Sequence, residues 1–226
     1  MEHVLDNPAW NALNTGNTQL ANGNDQVKYF SKEVSPFFGL KDNSDDDFAT
    51  LHELITHDSP VGFISPVERE ISGKWKLLRY IQPLQMIFNG VADPLDETIE
   101  IITLTNEHVP QMLALTKLTN PGPFDVRTID FGHYRGIFDG DRLVAMAGQR
   151  MHPVPYAEIS AVCTHPDYLG KGYARQLLLY QVHRIRAASG IPILHVLHDN
   201  ERAIKVYESL GFSTRKQMHF YILQKN

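Results

Sequence analysis

The stretch THPDYLGKGYARQLL, Thr164 to Leu178, sets Gly170 and Gly172 on either side of Lys171, just before an apolar-striped run opening at Tyr173. Where a strand gives way to a helix, the first helical N–H groups lack partners within the helix and the dipole favours an anion. Glycine there removes the Cβ atoms that would hold a phosphate away from those amides. The residues alone leave two readings: a pyrophosphate cradle, or a short connection that uses glycine for its turn. Other phosphate motifs are missing, since no GxxxxGK[ST] occurs and no GxGxxG opens a strand–helix–strand unit. Metal chemistry is not expected. Eleven histidines are present, but His195 and His198 lie on or just past a strand, and His52 and His57 miss the i, i+4 spacing of a helical metal face. Cys163 is the single cysteine, so neither an internal disulfide nor a Cys-based zinc site can form. Strand alternation puts Glu158, Ser160 and Val162 on one face and Cys163 on the other, as a buried thiol.

The elements that must position these residues follow from periodicity. EIITLT (Glu100 to Thr105) reads as a short strand, and a helix follows from about Asn106 to Leu118, with Val109, Met112, Leu113 and Leu118 apolar and Pro110 in its first turn. HYRGIFDGDRLVAMAGQRM reads as a hairpin turned by Asp139-Gly140. AEISAVCT is a strand leading into the glycine loop. Ala174, Leu177, Leu178, Val182 and Ile185 recur at helical spacing, and Gly190 ends that helix. PILHVL is the next strand, NERAIKVYESLGF the next helix, closed by Gly211, and MHFYIL the last strand. This order describes a mixed α/β sheet with helices packed on it.

Upstream, DNSDDDF (Asp42 to Phe48) is an acidic turn that caps a helix carrying Phe48, Leu51, Leu54 and Ile55 on one face. WKLLRYIQPLQMIF reads as strand, with an edge or bend at Pro83, and NGVADPLDE (Asn89 to Glu97) breaks the chain. A smaller N-terminal α/β unit over 1–95 and a larger one over 96–226 are expected. The 226 residues are 42% hydrophobic and 21% charged, enough to bury a core. A net charge of −5 and a pI near 6.1 give no electrostatic footprint for nucleic acid. The start is neither basic nor apolar enough for a signal peptide, and no run approaches the roughly 18 apolar residues of a membrane span. A soluble, cytoplasmic protein is the expectation.

VCTHPDYLGKGYARQLL followed by NERAIKVYESLGF resembles the GNAT superfamily of acyl-CoA-dependent N-acetyltransferases. That family carries [Q/R]-x-x-G-x-[G/A] between a strand and a helix, where backbone amides hold the coenzyme A pyrophosphate. Gly172 and Ala174 match its last two positions, and Leu169 stands in place of the Gln or Arg. Lys171 and Arg175 are the cations that could replace that side chain. The V-x-T-x-P-x-Y lead-in and the EIS strand resemble the glycine N-acyltransferase-like branch. The resemblance covers about Glu100 to Leu223, and residues 1–95 are compatible with a degenerate partner half. It implies coenzyme contacts from Val162, Cys163 and Thr164, from Leu169, Gly170, Lys171, Gly172, Tyr173, Ala174 and Arg175, and from Asn200 and Ala203.

Acyl transfer from a thioester to an amine needs a neutral amine, a stabilised oxyanion and a protonated thiol leaving group. An alkylamine of pKa near ~10 is mostly protonated at neutral pH, so a base is useful. The resemblance implies Glu158 as that base, Tyr207 as the acid that protonates the thiolate, and the Val162 backbone as the group that polarises the thioester. His133 and His152 are weaker candidates. Asn200 fits a helix cap as well as a pantetheine contact. Arg127, Arg135 and Arg150 suggest an acceptor that bears a carboxylate, such as an amino acid. The expected reaction is acetyl transfer from acetyl-CoA to a small amine in a ternary complex, without metal, nucleic acid or membrane. The competing readings are a non-catalytic acyl-CoA-binding or protein-interaction module of the same fold, and a nucleotide-binding α/β protein using the same loop.

Overall fold

The computed structural model describes residues 3–71 and 73–226. The first stretch holds helix α1 (Pro8–Asn14), strands β1 (Ala21–Gly23), β2 (Val27–Phe30) and β3 (Phe38–Leu40), helix α2 (Asp45–Leu54), and strands β4 (Val61–Ser65), β5 (Trp75–Ile81) and β6 (Pro83–Phe88). After the break come β7 (Ile102–Thr103), α3 (Val109–Thr119), β8 (Arg135–Asp139), β9 (Arg142–Gln149) and β10 (Tyr156–Thr164). The chain closes with α4 (Tyr173–Ala187), β11 (Ile191–Leu197), α5 (Glu201–Ser209), β12 (Phe212–Gln217) and β13 (His219–Lys225). Among the described residues no helix is long and apolar enough to cross a membrane.

The seven-stranded sheet runs β12-β6-β11-β10-β9-β8-β7, and its one parallel pair is β10 with β11. A second sheet places β13 between β4 and β5, and a third joins β1, β2 and β3. This is the mixed α/β architecture that the element order implied. Strand pairing crosses the boundary expected near residue 95 in both directions: β6 lies between β11 and β12, and β13 lies between β4 and β5. The first 95 residues therefore share sheets with the rest of the chain. The cores follow suit. One apolar cluster joins Ala9, Leu13, Phe30 and Phe37 to Met146, Met151, Cys163 and Phe220, while another packs Leu178, Val182 and Ile185 of α4 against Met86, Phe88 and Ile159.

Local chemistry explains most boundaries. Helix α2 begins with a reciprocal cap, in which Ser44 Oγ accepts from Asp47 N and Asp47 Oδ2 accepts from Ser44 N. The WKLLRYIQPLQMIF run divides at Gln82 into two strands of different sheets, and Pro83 opens β6, where its missing N–H is tolerated. Several expectations shift by a residue or two. Asp139 pairs with Arg142, so Gly140 and Asp141 form the hairpin loop, with Gly140 at φ 56°. Ser189 (φ 59°) takes the left-handed position after α4 that Gly190 was expected to occupy. Leu118 is 53% exposed, and Leu115 with Met112 fills the core beneath α3 instead. Strand β12 falls in the polar run FSTRKQ, which gave no apolar alternation; only Phe212 of it is buried.

Candidate active site

Strand β10 is where the sheet opens. Its parallel pairing with β11 covers Tyr156 to Glu158 against Ile191 to Ile193 and then ends, although β10 runs on to Thr164 and β11 to Leu197. On its other edge, the register with β9 slips between Ser160 and Cys163. Ala161 takes φ 53°, and Ala161 and Val162 have no register partner on β9. A bulge inserts one extra residue and bends the strand. Here the bulge, with Val162 in it, falls just past the point where the pairing with β11 ends.

The bulge also reverses the expected alternation. Val162 packs on the α4 side beside Ile159, whereas Ala161 and Cys163 join the cluster that contains Met112, Tyr134 and Phe220. Glu158 lies on that same side, with its bonds to Arg150 and His195. The prediction that Glu158 and Val162 share a face, with Cys163 opposite, is corrected: one inserted residue shifts the period-two pattern by one. Cys163 is 6% exposed, and burial pushes its thiol up to about 11, so it is an inert core thiol.

Past Thr164 the chain makes one 3₁₀ turn (Pro166–Tyr168) and reaches the glycine loop at the N-terminus of α4. Gly170 and Gly172 have φ 82° and 77°, and a Cβ at either would meet only open space. Gly172 is the N-cap and offers no side-chain acceptor, so the first amides of α4 point outward without a capping partner. The Thr164 hydroxyl is buried and has no hydrogen-bond partner among the described residues. Lys171 Nζ lies over the Tyr168 ring, 4.6 Å from its centroid, and the Tyr168 hydroxyl bonds to Asp139. Arg175, the other cation named for this loop, is paired with Asp93 at 2.5 Å. Leu169 is half exposed. Open amides, the Thr164 hydroxyl, the Lys171 ammonium and a split strand pair together fit a phosphorylated thioester carrier such as coenzyme A. Val162, Thr164 and the loop from Gly170 to Ala174 would hold it.

Glu158 is built into a buried polar chain. Arg150 grips it with Nε at 3.0 Å from Oε2 and Nη2 at 2.5 Å from Oε1, and His195 Nδ1 donates to Oε1 at 2.7 Å. The strand registers create this group. Glu158 is opposite Ile193, two residues before His195 on β11, and His195 is opposite Gln85 on β6. Gln85 Nε2 donates to Leu5 O and its Oε1 accepts from Arg215, which in turn pairs with Asp6 at 2.7 Å. That orientation aims the Gln85 N–H at His195 Nε2, 3.0 Å away, so His195 carries its proton on Nδ1.

Burial alone would push the Glu158 carboxyl up. Arg150 and His195 outweigh it and hold the group well below the usual carboxylate range. A carboxylate whose two oxygens are engaged in this way, 1% exposed, is a weak base. The structure places Glu158 as a charge that locks β9, β10 and β11 together beside the split. The same pairing removes Arg150 from the expected contacts to a substrate carboxylate. Arg127 is paired with Asp130, and Arg135 Nε donates to the Tyr180 hydroxyl at 2.9 Å. His133 and His152 lie beside Arg184, and burial followed by that cation lowers both.

On α5, Asn200 caps the helix by accepting from Ala203 N at 3.1 Å. Tyr207 and Val162 both border the apolar cluster on the α4 side of the sheet, and burial pushes the Tyr207 hydroxyl up to about 12. It stays protonated throughout the working pH range and can donate. Sequence reasoning missed His195, Gln85 and Arg215 as partners of Glu158, and nothing local marks them, because only sheet register brings them together.

A family model described as FR47-like protein matches residues 134–221, the segment from β8 into the first half of β13. A crystal structure of a GNAT-family protein of Novosphingobium aromaticivorans, assigned as an acetyltransferase, is 32% identical, with each chain covered in full and a TM-score of 0.92. A mycothiol acetyltransferase of Thermomonospora curvata is 36% identical over 74 residues, 32% of this chain and 25% of that protein. The N-alpha-acetyltransferase RimI of Mycobacterium tuberculosis is 36% identical over 84 residues, 35% of this chain and 51% of that protein. The matched segments thus span from a quarter to about half of these two relatives' own lengths.

Proposed function

The chain belongs to the GNAT family, and from that premise we propose that it transfers an acetyl group from acetyl-CoA to the nitrogen of an amine. The carrying observation is the opening of β10 from β11 past Glu158, with the uncapped amides of α4 at its end. The names of the matched relatives, both acetyltransferases and one an N-alpha-acetyltransferase, support the same reading. A place in the glycine N-acyltransferase-like branch rests on the spacing of Glu158, Thr164 and Pro166.

Acetyl-CoA supplies a thioester whose carbonyl carbon is the electrophile. The chain's part is to bind and orient it: loop amides and Lys171 take the pyrophosphate, Asn200 and Ala203 border the pantetheine arm, and the Val162 N–H donates to the thioester oxygen. A free amine attacks in one step of association, forming C–N as C–S breaks. The amine proton leaves to water, and Tyr207 donates a hydrogen bond to the sulfur as it departs. Its pKa near 12, against a thiol near ~8.5, keeps the proton on the phenol at rest. Glu158 acts as a positioning residue. With no near-neutral base in this scheme, log kcat/KM for an alkylamine rises with pH at a slope of about one, up to the amine's own pKa.

The test is release of coenzyme A over a panel of alkylamines, amino acids and peptide α-amines, with binding measured by calorimetry in parallel. Turnover on at least one amine, slowed in Tyr207→Phe, is the expected result. Tight coenzyme binding with no turnover on any amine would favour the non-catalytic module, a reading that Leu169 and the engaged Glu158 carboxylate keep in play.

A further inference from the structure

Arg184 sits on the outer half of α4, and its guanidinium is held by two neutral acceptors. Nε donates to Gln181 Oε1 at 2.9 Å and Nη2 to Gln149 Oε1 at 2.8 Å. Both glutamines are buried, Gln181 fully and Gln149 at 3% exposure. Gln181 is itself anchored by donating to His133 O at 2.6 Å. One α-helical turn before Arg184, Tyr180 accepts from Arg135 Nε, and the Arg135 guanidinium lies 5.1 Å from the Tyr180 ring centroid. Arg135 Nη1 also donates to Tyr134 O. His133 and His152 complete the group. His152 is fixed from the N-terminal segment, its N donating to Asn17 Oδ1 and its O accepting from Gly16 N. A side chain at residue 16 would strike its ring, 2.3 Å from Cγ.

The charges around this cluster are all of one sign. Among the described residues, the charged groups acting on Arg184, His133 and His152 are Arg135, Arg184 and one another, and only the Tyr180 phenol acts in the opposite sense. Among the described residues neither Arg135 nor Arg184 has a carboxylate partner. A partly buried guanidinium normally gains a counterion or stays in water. Here two buried amides orient Arg184 and leave its Nη1 group uncommitted, while Arg135 keeps Nη2. Among the described residues each guanidinium thus keeps one amino group free to donate, and charge-assisted donors of this kind suit an oxyanion.

We propose that Arg135 and Arg184, with His133 and His152 at the rim, form a binding site for a dianionic oxyanion of the phosphate class, apart from the glycine loop. At about 1.5 Å of rise per residue, Arg184 lies roughly 16 Å along the helix from Tyr173, at the opposite end of α4 from the loop amides. Arg135 opens β8 and Gln149 closes β9, so the site sits at the end of the sheet away from Thr164. It goes beyond the acetyl-transfer reading and stands without it.

The test is calorimetric titration of the full chain with inorganic phosphate at constant ionic strength, repeated with coenzyme A present. With coenzyme A filling the glycine loop, one saturable site is expected, weakened about tenfold or more by Arg184→Gln and by Arg135→Gln, as the loss of a charge-assisted contact requires. Coenzyme A and Lys171→Gln leave it unchanged, and acetate at the same concentration does not occupy it. Far-UV circular dichroism checks that the variants fold. Should Arg184→Gln unfold, Arg135→Gln decides. No saturable binding at millimolar phosphate overturns the proposal. So does binding that Lys171→Gln abolishes and Arg184→Gln leaves intact, and so does equal binding of acetate.

Discussion

Replacing Arg150 by methionine tests how Glu158 is held. The substitution removes the Nε–Oε2 and Nη2–Oε1 contacts at 3.0 and 2.5 Å and leaves the His195 N–H at 2.7 Å. Breaking a buried ion pair from one side costs about 3–5 kcal/mol, because the remaining charge stays desolvated. The surviving His195 bond puts Arg150→Met near the lower end, about 3 kcal/mol at neutral pH. The pH dependence carries the sharper signature. In the native chain the carboxyl lies below its unfolded value of ~4.3, so its stabilisation is complete above that pH and is lost as pH falls toward the folded value. Without Arg150, burial is opposed only by His195 and pushes the carboxyl up. The unfolded state then loses the proton more readily, and the variant loses stability as pH rises above ~4.3. Urea unfolding followed by far-UV circular dichroism at pH 5 and pH 8 measures both. The deficit should be larger at pH 8, and adding Glu158→Gln to the same chain should recover most of it. A deficit equal at the two pH values, or under about 1 kcal/mol at pH 8, would refute the reasoning.

Three more outcomes follow from particular contacts. Leu169→Arg restores the family's cation at a half-exposed position, so coenzyme A should bind about tenfold tighter by calorimetry; no change would place the pyrophosphate elsewhere. Gly148→Ala drives a Cβ to 2.3 Å from the Tyr134 ring and should cost about 1–3 kcal/mol in urea unfolding by overpacking the core. Gly170→Ala meets no atom but imposes a side chain at φ 82°, so its cost should stay near the ~1–2 kcal/mol of left-handed backbone alone, and a larger loss would contradict the open loop.

The glycine loop, the helix behind it and the Asn200 to Phe212 helix were legible because their signals are local. Gly170 and Gly172 are needed where φ is positive, and the stripe Leu177, Leu178, Val182, Ile185 is the buried face of α4 whatever it packs against. The Asp42 to Phe48 turn was legible for the same reason, since a cap is made within four residues. Residue types at short spacing thus determined these elements and the resemblance to the family, while β1 to β4 and the polar β12 gave no such signal.

What the sequence could not specify was partnership across distance. The bulge at Ala161 and Val162 exists only in the register of β10 against β9, and it exchanges the faces of Val162 and Cys163. Glu158 looks like any strand carboxylate until the registers of β9, β11 and β6 deliver Arg150, His195 and Gln85 to it, and those contacts turn a prospective base into a fixed anion. The interleaving of β6 and β13 with strands from the other half of the chain has the same origin. Hydrogen bonding between strands is indifferent to separation along the chain, so only the closed tertiary structure decides which charges meet and which, like Arg184 among the described residues, are left without a counterion.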